Sequence, residues 1–306
     1  MGHAMPVRSA LLSVVLAAVL AGSARADTVT VGSKIDTEGA LLGNIIALVL
    51  KEGGLAVESR IGLGPTSIVR SAILAGQIDI YPEYTGNGAR FFAMEGDPLW
   101  KNAAEGYATV RRLDRARNAL VWLAPAPADN TWAIAVNKAL AARLHGTLAG
   151  LAHYVREGGK LRLAASAEFV ENPLGLPAIE AAYHFTLTQD QLLVLAGGDT
   201  AATIRAAAEG ISGVNAGMAY GTDGALAALG MVALADDRGA GIVYEPAPVV
   251  RQATLAAHPE IATLLDPVFR SLTLERLQRL NAAIAVDGSD AKTVAQHYLV
   301  AQGFLK

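Results

Sequence analysis

The chain has 306 residues, of which 52% are hydrophobic, and a formal net charge of −3. This composition is typical of a folded globular protein, and the slight excess of acidic residues argues against binding to nucleic acid or to anionic lipid. The sequence contains no cysteine, which excludes disulfides and thiol chemistry.

The first 26 residues have the layout of a secretory signal peptide. A positively charged start precedes an almost wholly apolar run at residues 9–21, and the triplet at 24–26 is Ala-Arg-Ala. The apolar run is shorter than the roughly 20 residues that a membrane helix needs. We therefore expect cleavage before Asp27 and export to the periplasm without a lipid anchor, because no cysteine follows the cleavage site. Without residues 1–26 the charge becomes −5, from 23 basic and 28 acidic residues.

The mature chain alternates between strand-like and helix-like segments. Alternation at 28–31 predicts a first strand, and apolar residues at 41, 42, 45, 46 and 49 predict a helix after it. Strands that alternate with helices are typical of βαβ units and a parallel sheet. Further strands are predicted at 56–61, 78–80, 132–136, 161–165 and 214–220, and further helices at 66–74, 175–183, 200–209 and 274–284.

The length predicts more than one compact unit. About 280 mature residues exceed what one hydrophobic core usually organises, since cores stop growing at roughly 250–300 residues. Short segments at 128–132 and 244–248 are interpreted as two hinge crossings. We therefore predict an α/β fold of two lobes joined by a two-crossing hinge. The first lobe comprises 27–130 plus 246–306, and the second comprises 131–245.

Polar and aromatic residues follow several predicted strands, and in open α/β sheets ligands bind outside the carboxyl ends of strands. The strongest signal is the run at 79–88, Asp-Ile-Tyr-Pro-Glu-Tyr-Thr-Gly-Asn-Gly, interpreted as a loop directly after the third strand. Other candidates follow the first strand, lie at the first hinge segment, or follow strands of the second lobe. The ligand-binding residues predicted in this way are Lys34, Tyr84, Thr85, Asn87, Asn130, Trp132, Glu168, Phe169 and Tyr220.

Three of these residues, Tyr84, Trp132 and Tyr220, are aromatic. A quaternary ammonium group cannot donate hydrogen bonds, so proteins hold it against several ring faces, each worth about 0.5–2 kcal/mol. Lys34 could hold a carboxylate at the other end of such a ligand. Each ring taken alone is also consistent with ordinary packing after a strand.

Motifs that would indicate other functions are weak. Residues 62–67, Gly-Leu-Gly-Pro-Thr-Ser, lack the third glycine of a dinucleotide loop and are interpreted as a turn that starts a helix. The histidines at 145, 153, 184, 258 and 297 have no zinc-binding spacing. Ser166 and Ser212 lack an evident base and acid, and Asp223 fits a turn or cap. We expect no catalytic residue, no metal and no cofactor.

In four segments the chain resembles the glycine betaine, carnitine and choline binding proteins of osmoprotectant ABC importers, over about residues 27–306. The middle segments at 128–132 and 164–169 are most similar to the osmotically induced branch of that family. The four segments are 31–34 (Val-Gly-Ser-Lys), 79–86 (Asp-Ile-Tyr-Pro-Glu-Tyr-Thr-Gly), 219–224 (Ala-Tyr-Gly-Thr-Asp-Gly) and 246–251 (Pro-Ala-Pro-Val-Val-Arg).

The resemblance implies a bilobal type II periplasmic binding protein that closes on its ligand. It also implies an aromatic cage for the ammonium group, with Trp132 at a position that is usually tyrosine, and a Lys, Thr and Arg set for the carboxylate. Two positions depart from the family pattern. Asn87 stands where threonine is common. Asn172 stands where an arginine usually follows the Glu-Phe segment, and it is the tenth candidate ligand-binding residue. Choline, a poorly bound betaine or an unrelated ligand therefore remain alternatives.

We interpret the chain as the binding component of an ABC importer that captures a quaternary-ammonium osmolyte such as glycine betaine or choline by lobe closure. Its expected partners are that ligand and the permease and ATPase subunits in the inner membrane, and the protein itself is expected to be a monomer. A secreted sensor and a secreted enzyme on a similar bilobal scaffold are the alternatives. Neighbouring genes for an ATPase and a permease would favour the importer over the sensor.

Overall fold

A computed structural model describes residues 1–2, 28–195 and 200–306, so the predicted signal peptide and its cleavage site fall almost wholly outside the described residues. None of the helices in those ranges is long and apolar enough to cross a membrane. The strands are β1 (Val29–Lys34), β2 (Val57–Gly64), β3 (Ile80–Tyr84), β4 (Leu120–Trp122), β5 (Trp132–Asn137), β6 (Leu163–Ser166), β7 (Leu192–Leu195), β8 (Ala216–Tyr220), β9 (Met231–Ala233) and β10 (Pro246–Arg251). The helices are α1 (Thr37–Glu52), α2 (Thr66–Leu74), α3 (Gly88–Phe91), α4 (Ala103–Asn118), α5 (Lys138–Arg143), α6 (Leu148–Arg156), α7 (Ala167–Glu171), α8 (Leu176–Tyr183), α9 (Thr200–Glu209), α10 (Ala225–Ala228), α11 (Gln252–Ala257), α12 (Glu260–Ser271), α13 (Leu274–Ala285) and α14 (Ala291–Ala301).

The strands form two five-stranded sheets, with orders β2-β1-β3-β10-β4 and β7-β6-β8-β5-β9. Four strands of each sheet run in one direction, and three of them pair directly in parallel, as predicted, but β10 and β5 run antiparallel to both of their neighbours. The predicted parallel pairing is present, and the antiparallel β10 and β5 make both sheets mixed. Pro246 begins β10 beside Tyr84 at the end of β3, and Trp132 begins β5 beside Tyr220 at the end of β8. At each crossing between the sheets the chain arrives at the carboxyl ends of the parallel strands. The strands that follow the crossings, β5 and β10, therefore run in the opposite direction.

Helices cover both faces of each sheet. On the first sheet, α1 and the C-terminal helices α12 to α14 bury one face, while α2, Trp100 and Trp122 bury the other. On the second sheet, α5 to α8 cover one face and α9 with α10 cover the opposite one. The α1 helix contains the apolar positions 41–49 that predicted it, and Asp36 caps it by accepting a 2.7 Å hydrogen bond from the Gly39 amide.

One predicted boundary was wrong. The run at 80–84 is strand β3 itself, buried along its whole length, and only the turn at 85–87 follows it. Pro82 made this run look like a loop, since proline is rare in central strands, yet it pairs in register with Pro248 of β10. The second hinge segment, 244–248, consequently shares three residues with a strand.

Candidate functional site

A cavity of about 660 Å³ lies at the carboxyl ends of β1, β3, β6 and β8, between the two sheets. This volume is within the roughly 300–1,000 Å³ of small-molecule sites. The cavity brings together eight of the ten predicted ligand-binding residues, namely Lys34, Tyr84, Asn87, Asn130, Trp132, Glu168, Asn172 and Tyr220.

Thr85 and Phe169, the other two predicted residues, lie behind the cavity wall rather than on it. Thr85 is buried, and its Oγ1 donates to the carbonyl of Val243 and accepts from the amide of Glu245, which ties β3 to the second hinge segment. Phe169 is fully buried and packs edge-on against Trp132, with ring centroids 5.7 Å apart. Both support neighbouring residues that do line the cavity.

Lys34 is already paired within the protein. Its Nζ lies 2.6 Å from Oε1 of the fully buried Glu83 and 4.4 Å from the centroid of the Tyr84 ring. The Glu83 carboxylate also accepts hydrogen bonds from the Tyr84 amide and from Nδ2 of Asn87. Only 7% of the Lys34 side chain is exposed, so its charge is largely neutralised before any ligand arrives.

Glu38 forms a hydrogen-bonded hub at the base of the cavity, and sequence analysis missed it. Its carboxylate accepts hydrogen bonds from the Tyr84 hydroxyl at 2.7 Å, from Nδ2 of Asn130 at 3.3 Å and from Nδ2 of Asn281 at 2.6 Å. Thr222 joins this hub by donating to Oδ1 of Asn130 at 2.6 Å. The hub thereby connects the first sheet, the first hinge segment and the loop after β8.

Burial raises the pKa of Glu38, and its hydrogen bonds only partly oppose this effect. Between the ordinary value of 4.5 and the higher folded-state pKa, the folded protein keeps a proton that the unfolded chain has lost. Stability contributed by Glu38 therefore falls as pH rises through that window. We expect Glu38→Gln to remove this slope in urea unfolding measured at stepped pH.

The informative quantity is the difference in the free energy of unfolding between wild type and Glu38→Gln at each pH. The wild-type slope alone is not sufficient, because burial also raises the pKa values of Asp129 and Glu245. Glu58→Gln is the matched control, since Glu58 is half exposed and lies outside the cavity. A wild-type-minus-variant difference that stays constant with pH would contradict the assignment.

Aromatic rings cover one wall of the cavity. Trp132 and Tyr220 are cross-strand partners in the β5–β8 pair, and Tyr244, which sequence analysis placed only in a hinge segment, lines the same cavity. Burial raises the pKa of Tyr220 to about 12 and that of Tyr244 further, so both rings stay neutral at physiological pH. Gly86 allows Tyr244 to pack closely, because a Cβ on Gly86 would lie 2.7 Å from the Tyr244 ring.

Arg90 and Glu168 approach each other across the mouth of the cavity, and Arg90 was also missed. The Arg90 guanidinium lies 3.8 Å from Oε1 of Glu168, and both side chains are more than half exposed. Asn172 lines the cavity nearby, but its Oδ1 accepts a hydrogen bond from the Leu174 amide. Arg90 lies on α3, seven residues beyond Glu83. Apart from following the Tyr-Pro-Glu-Tyr run, it has no sequence feature that would mark it as a site residue.

The loop after β8, in the second sheet, packs on α13, which covers the first sheet. The Gln278 side chain donates to the carbonyl of Gly221, and Asn281 donates to the carbonyl of Thr222. Gly224 packs so tightly that a Cβ there would lie 2.1 Å from the Ala282 amide nitrogen. The floor of the cavity is thus shared between both sheets.

The cavity therefore combines electron-rich rings, amide groups and two basic side chains at one site. No cluster of three or more metal-ligating side chains occurs in residues 1–2, 28–195 and 200–306. Such a site is chemically suited to holding a small ligand with a cationic apolar group.

The chain is similar to known proteins in sequence and in structure. A family model for the substrate binding domain of the ABC-type glycine betaine transport system matches residues 27–301. The chain is 57% identical over 294 residues to the glycine betaine-binding protein YehZ of Escherichia coli K12, covering 96% of each. It is 32% identical over 286 residues to a glycine-betaine-binding protein of Pseudomonas aeruginosa, covering 91% of this chain and 89% of that one.

The solved structure of apo YehZ from Escherichia coli aligns with a TM-score of 0.78 at 57% identity, over 91% of this chain and 100% of that one. The predicted fold class, two α/β lobes of the type II periplasmic binding protein kind, is confirmed. The resemblance inferred from the sequence is confirmed as well. The chain belongs to the family of substrate-binding domains of ABC-type glycine betaine transport systems.

Proposed function

We propose that this chain captures a quaternary-ammonium osmolyte, with glycine betaine as the leading candidate, and hands it to the permease and ATPase subunits of an ABC importer in the inner membrane. The observation that carries the proposal is the convergence of Trp132, Tyr220 and Tyr244 on one cavity of about 660 Å³. Several ring faces around one site favour a methylated ammonium group, which cannot form hydrogen bonds. The relatives named above, described as glycine betaine-binding proteins, support the same ligand class.

The proposed mechanism is lobe closure around the ligand. We assign residues 27–130 plus 246–306 to the first lobe and residues 131–245 to the second. The cavity is lined from both, by Tyr84 and Lys34 on one side and by Tyr220 and Glu168 on the other. A ligand that contacts both lobes favours the closed form, and the membrane subunits would distinguish the closed form from the open one.

The hinge that this mechanism requires is built from segments 128–132 and 244–248. They lie side by side, because the Asn130 amide donates to the Tyr244 carbonyl and the Tyr244 amide donates to Oδ1 of Asp129. In this proposal residues 1–26 are a cleaved signal peptide that directs the chain to the periplasm. The mature protein acts there as a monomer and has no catalytic activity.

Ligand titration followed by tryptophan fluorescence tests the ligand class, with glycine betaine, choline, carnitine, proline betaine and alanine compared under the same conditions. We expect the quaternary-ammonium compounds to bind and alanine not to bind. A saturating ligand should also stabilise the folded protein by about 2.7 kcal/mol at a hundredfold excess over its Kd. Binding of alanine alone would overturn the assignment.

Small-angle scattering tests closure separately from ligand identity. With a ligand demonstrably bound, we expect the radius of gyration to decrease, because each lobe moves as a rigid body about the two hinge segments. An unchanged radius of gyration would mean a preformed static pocket and would contradict closure.

A further inference from the structure

We infer that Arg90 binds the carboxylate of a zwitterionic ligand, so that this cavity selects betaine-type ligands over choline-type cations. The inference rests on the proposed function, because it takes the ammonium group of the ligand to lie against the aromatic wall. It assigns the opposite end of the ligand to one residue on α3.

The charge of the cavity requires a dedicated partner for any carboxylate. Among the lining residues, four are acidic and two are basic, so an additional carboxylate is repelled unless a cation offsets it. The acidic residues are Asp36, Glu38, Glu168 and Asp223, and the basic residues are Lys34 and Arg90.

Lys34 is poorly placed to be that cation. Its ammonium group is 2.6 Å from the buried Glu83 carboxylate, and only 7% of its side chain is exposed. Removing Lys34 from Glu83 would leave a buried carboxylate unpaired, which is one of the most destabilising changes available in a protein interior. A ligand carboxylate would have to share Lys34 with that stronger partner.

Arg90 is available by the same criteria. Its side chain is 63% exposed, and its nearest acidic group, Glu168, stands at 3.8 Å, beyond hydrogen-bond distance. Exposed pairs of this kind are weak, so a ligand can displace Glu168 at little cost. A guanidinium also binds a carboxylate through two parallel hydrogen bonds, which an ammonium cannot do.

Arg90 lies close to the aromatic wall, as a two-ended ligand requires. Arg90, Tyr220 and Tyr244 all line the same cavity. Arg90 and Glu168 also belong to different sheets, since α3 follows β3 and α7 follows β6. Exchange of Glu168 for a ligand carboxylate therefore takes place where the two lobes meet.

The test is the ratio of glycine betaine affinity to choline affinity, measured by isothermal titration on the mature protein. We expect Arg90→Gln to weaken glycine betaine binding about tenfold and to change choline binding less than about twofold, since choline has no carboxylate. Arg90→Lys should give an intermediate ratio. Glu168→Gln should raise the ratio, because it removes the competitor for Arg90.

Arg117→Gln is the matched control, since Arg117 is an exposed arginine of α4 that stacks on Phe92 and does not line the cavity. It should leave the ratio unchanged. An unchanged ratio in Arg90→Gln would overturn the inference. If Arg90→Gln and Glu168→Gln each weaken glycine betaine and choline binding by the same factor, the two residues form a pair that only closes the cleft, and the inference is likewise overturned.

Wild-type protein separates this inference from the proposed function. If wild type binds neither glycine betaine nor choline, the proposed function fails and the Arg90 assignment fails with it. If wild type binds choline but not glycine betaine, only the carboxylate assignment is overturned. If it binds both and the ratio responds as described, both stand.

Discussion

Replacing Trp132 or Tyr220 by alanine is expected to weaken binding of glycine betaine by about 1–2 kcal/mol for each residue, or roughly fivefold to thirtyfold in Kd. Each substitution removes one ring face from a wall that both residues share across the β5–β8 pair. Tyr244→Ala should have a similar effect, because Tyr244 lines the same cavity. Since the three rings would hold one cation, their effects should not add in double variants.

Titration calorimetry measures these losses, and thermal unfolding checks that each variant remains folded. Tyr154→Ala is a suitable control, because Tyr154 lies on α6, outside the cavity, where Arg143 stacks on its ring. The control should bind like wild type. Wild-type affinity in both Trp132→Ala and Tyr220→Ala would show that the ammonium group is held elsewhere.

The strand ends of the cleft were predictable because two simple rules reinforce each other. Apolar patterns located β6 and β8 to within two residues at each end and β1 to within three, and ligands bind at the carboxyl ends of such strands. Lys34, Glu168 and Tyr220 therefore meet in one cavity although they are far apart in sequence. The rule concerns where strands end and needs no knowledge of the complete sheet order.

Partners that act over long sequence separations were not predictable. Glu83 stands next to the predicted Tyr84, yet its pairing with Lys34 joins residues 49 positions apart, and only the β1–β3 neighbourhood brings them together. Asn281 reaches Glu38 across 243 positions, through the packing of α13 on α1. Because spacing along the chain does not reveal such contacts, the sequence analysis treated Lys34 as a free cation.

The second hinge segment shows a different limit. Residues 246–251 carry the strand β10, but their prolines and short apolar run offered no alternation to mark a strand. Register with Tyr84 places Pro246 beside the end of β3, and this brings Tyr244 to the cavity. A residue interpreted as part of a linker is thus one of the rings on the aromatic wall.

The largest loss of stability is expected for Asp114→Ala. The Asp114 carboxylate is fully buried and accepts hydrogen bonds from both terminal nitrogens of Arg70, at 2.9 and 2.5 Å. It also accepts from Nε1 of Trp122 and Nδ2 of Asn118, each at 2.7 Å. Removing it leaves the buried Arg70 charge without its partner, which typically costs about 3–5 kcal/mol.

This pair matters to the cleft because it holds α2 against α4 and β4. Pro65 and Thr66 at the start of α2 line the cavity, and the Arg70 guanidinium lies 4.2 Å from the centroid of the Phe91 ring, next to Arg90. Urea unfolding should show the midpoint shifted to lower urea with the slope largely kept. Glu58→Ala is the control, since its pair with Arg60 is exposed and should contribute less than about 1 kcal/mol.

A second variant separates the unpaired charge from the lost packing. In Arg70→Met/Asp114→Leu neither charge remains, and replacing a buried ion pair by apolar residues is often close to neutral. We therefore expect the double variant to be more stable than Asp114→Ala, although Trp122 still loses its acceptor. Equal destabilisation of Asp114→Ala and Glu58→Ala would show that the buried carboxylate contributes no more than a surface ion pair. Equal stability of the double variant and Asp114→Ala would instead assign the loss to packing around Trp122 rather than to the Arg70 charge.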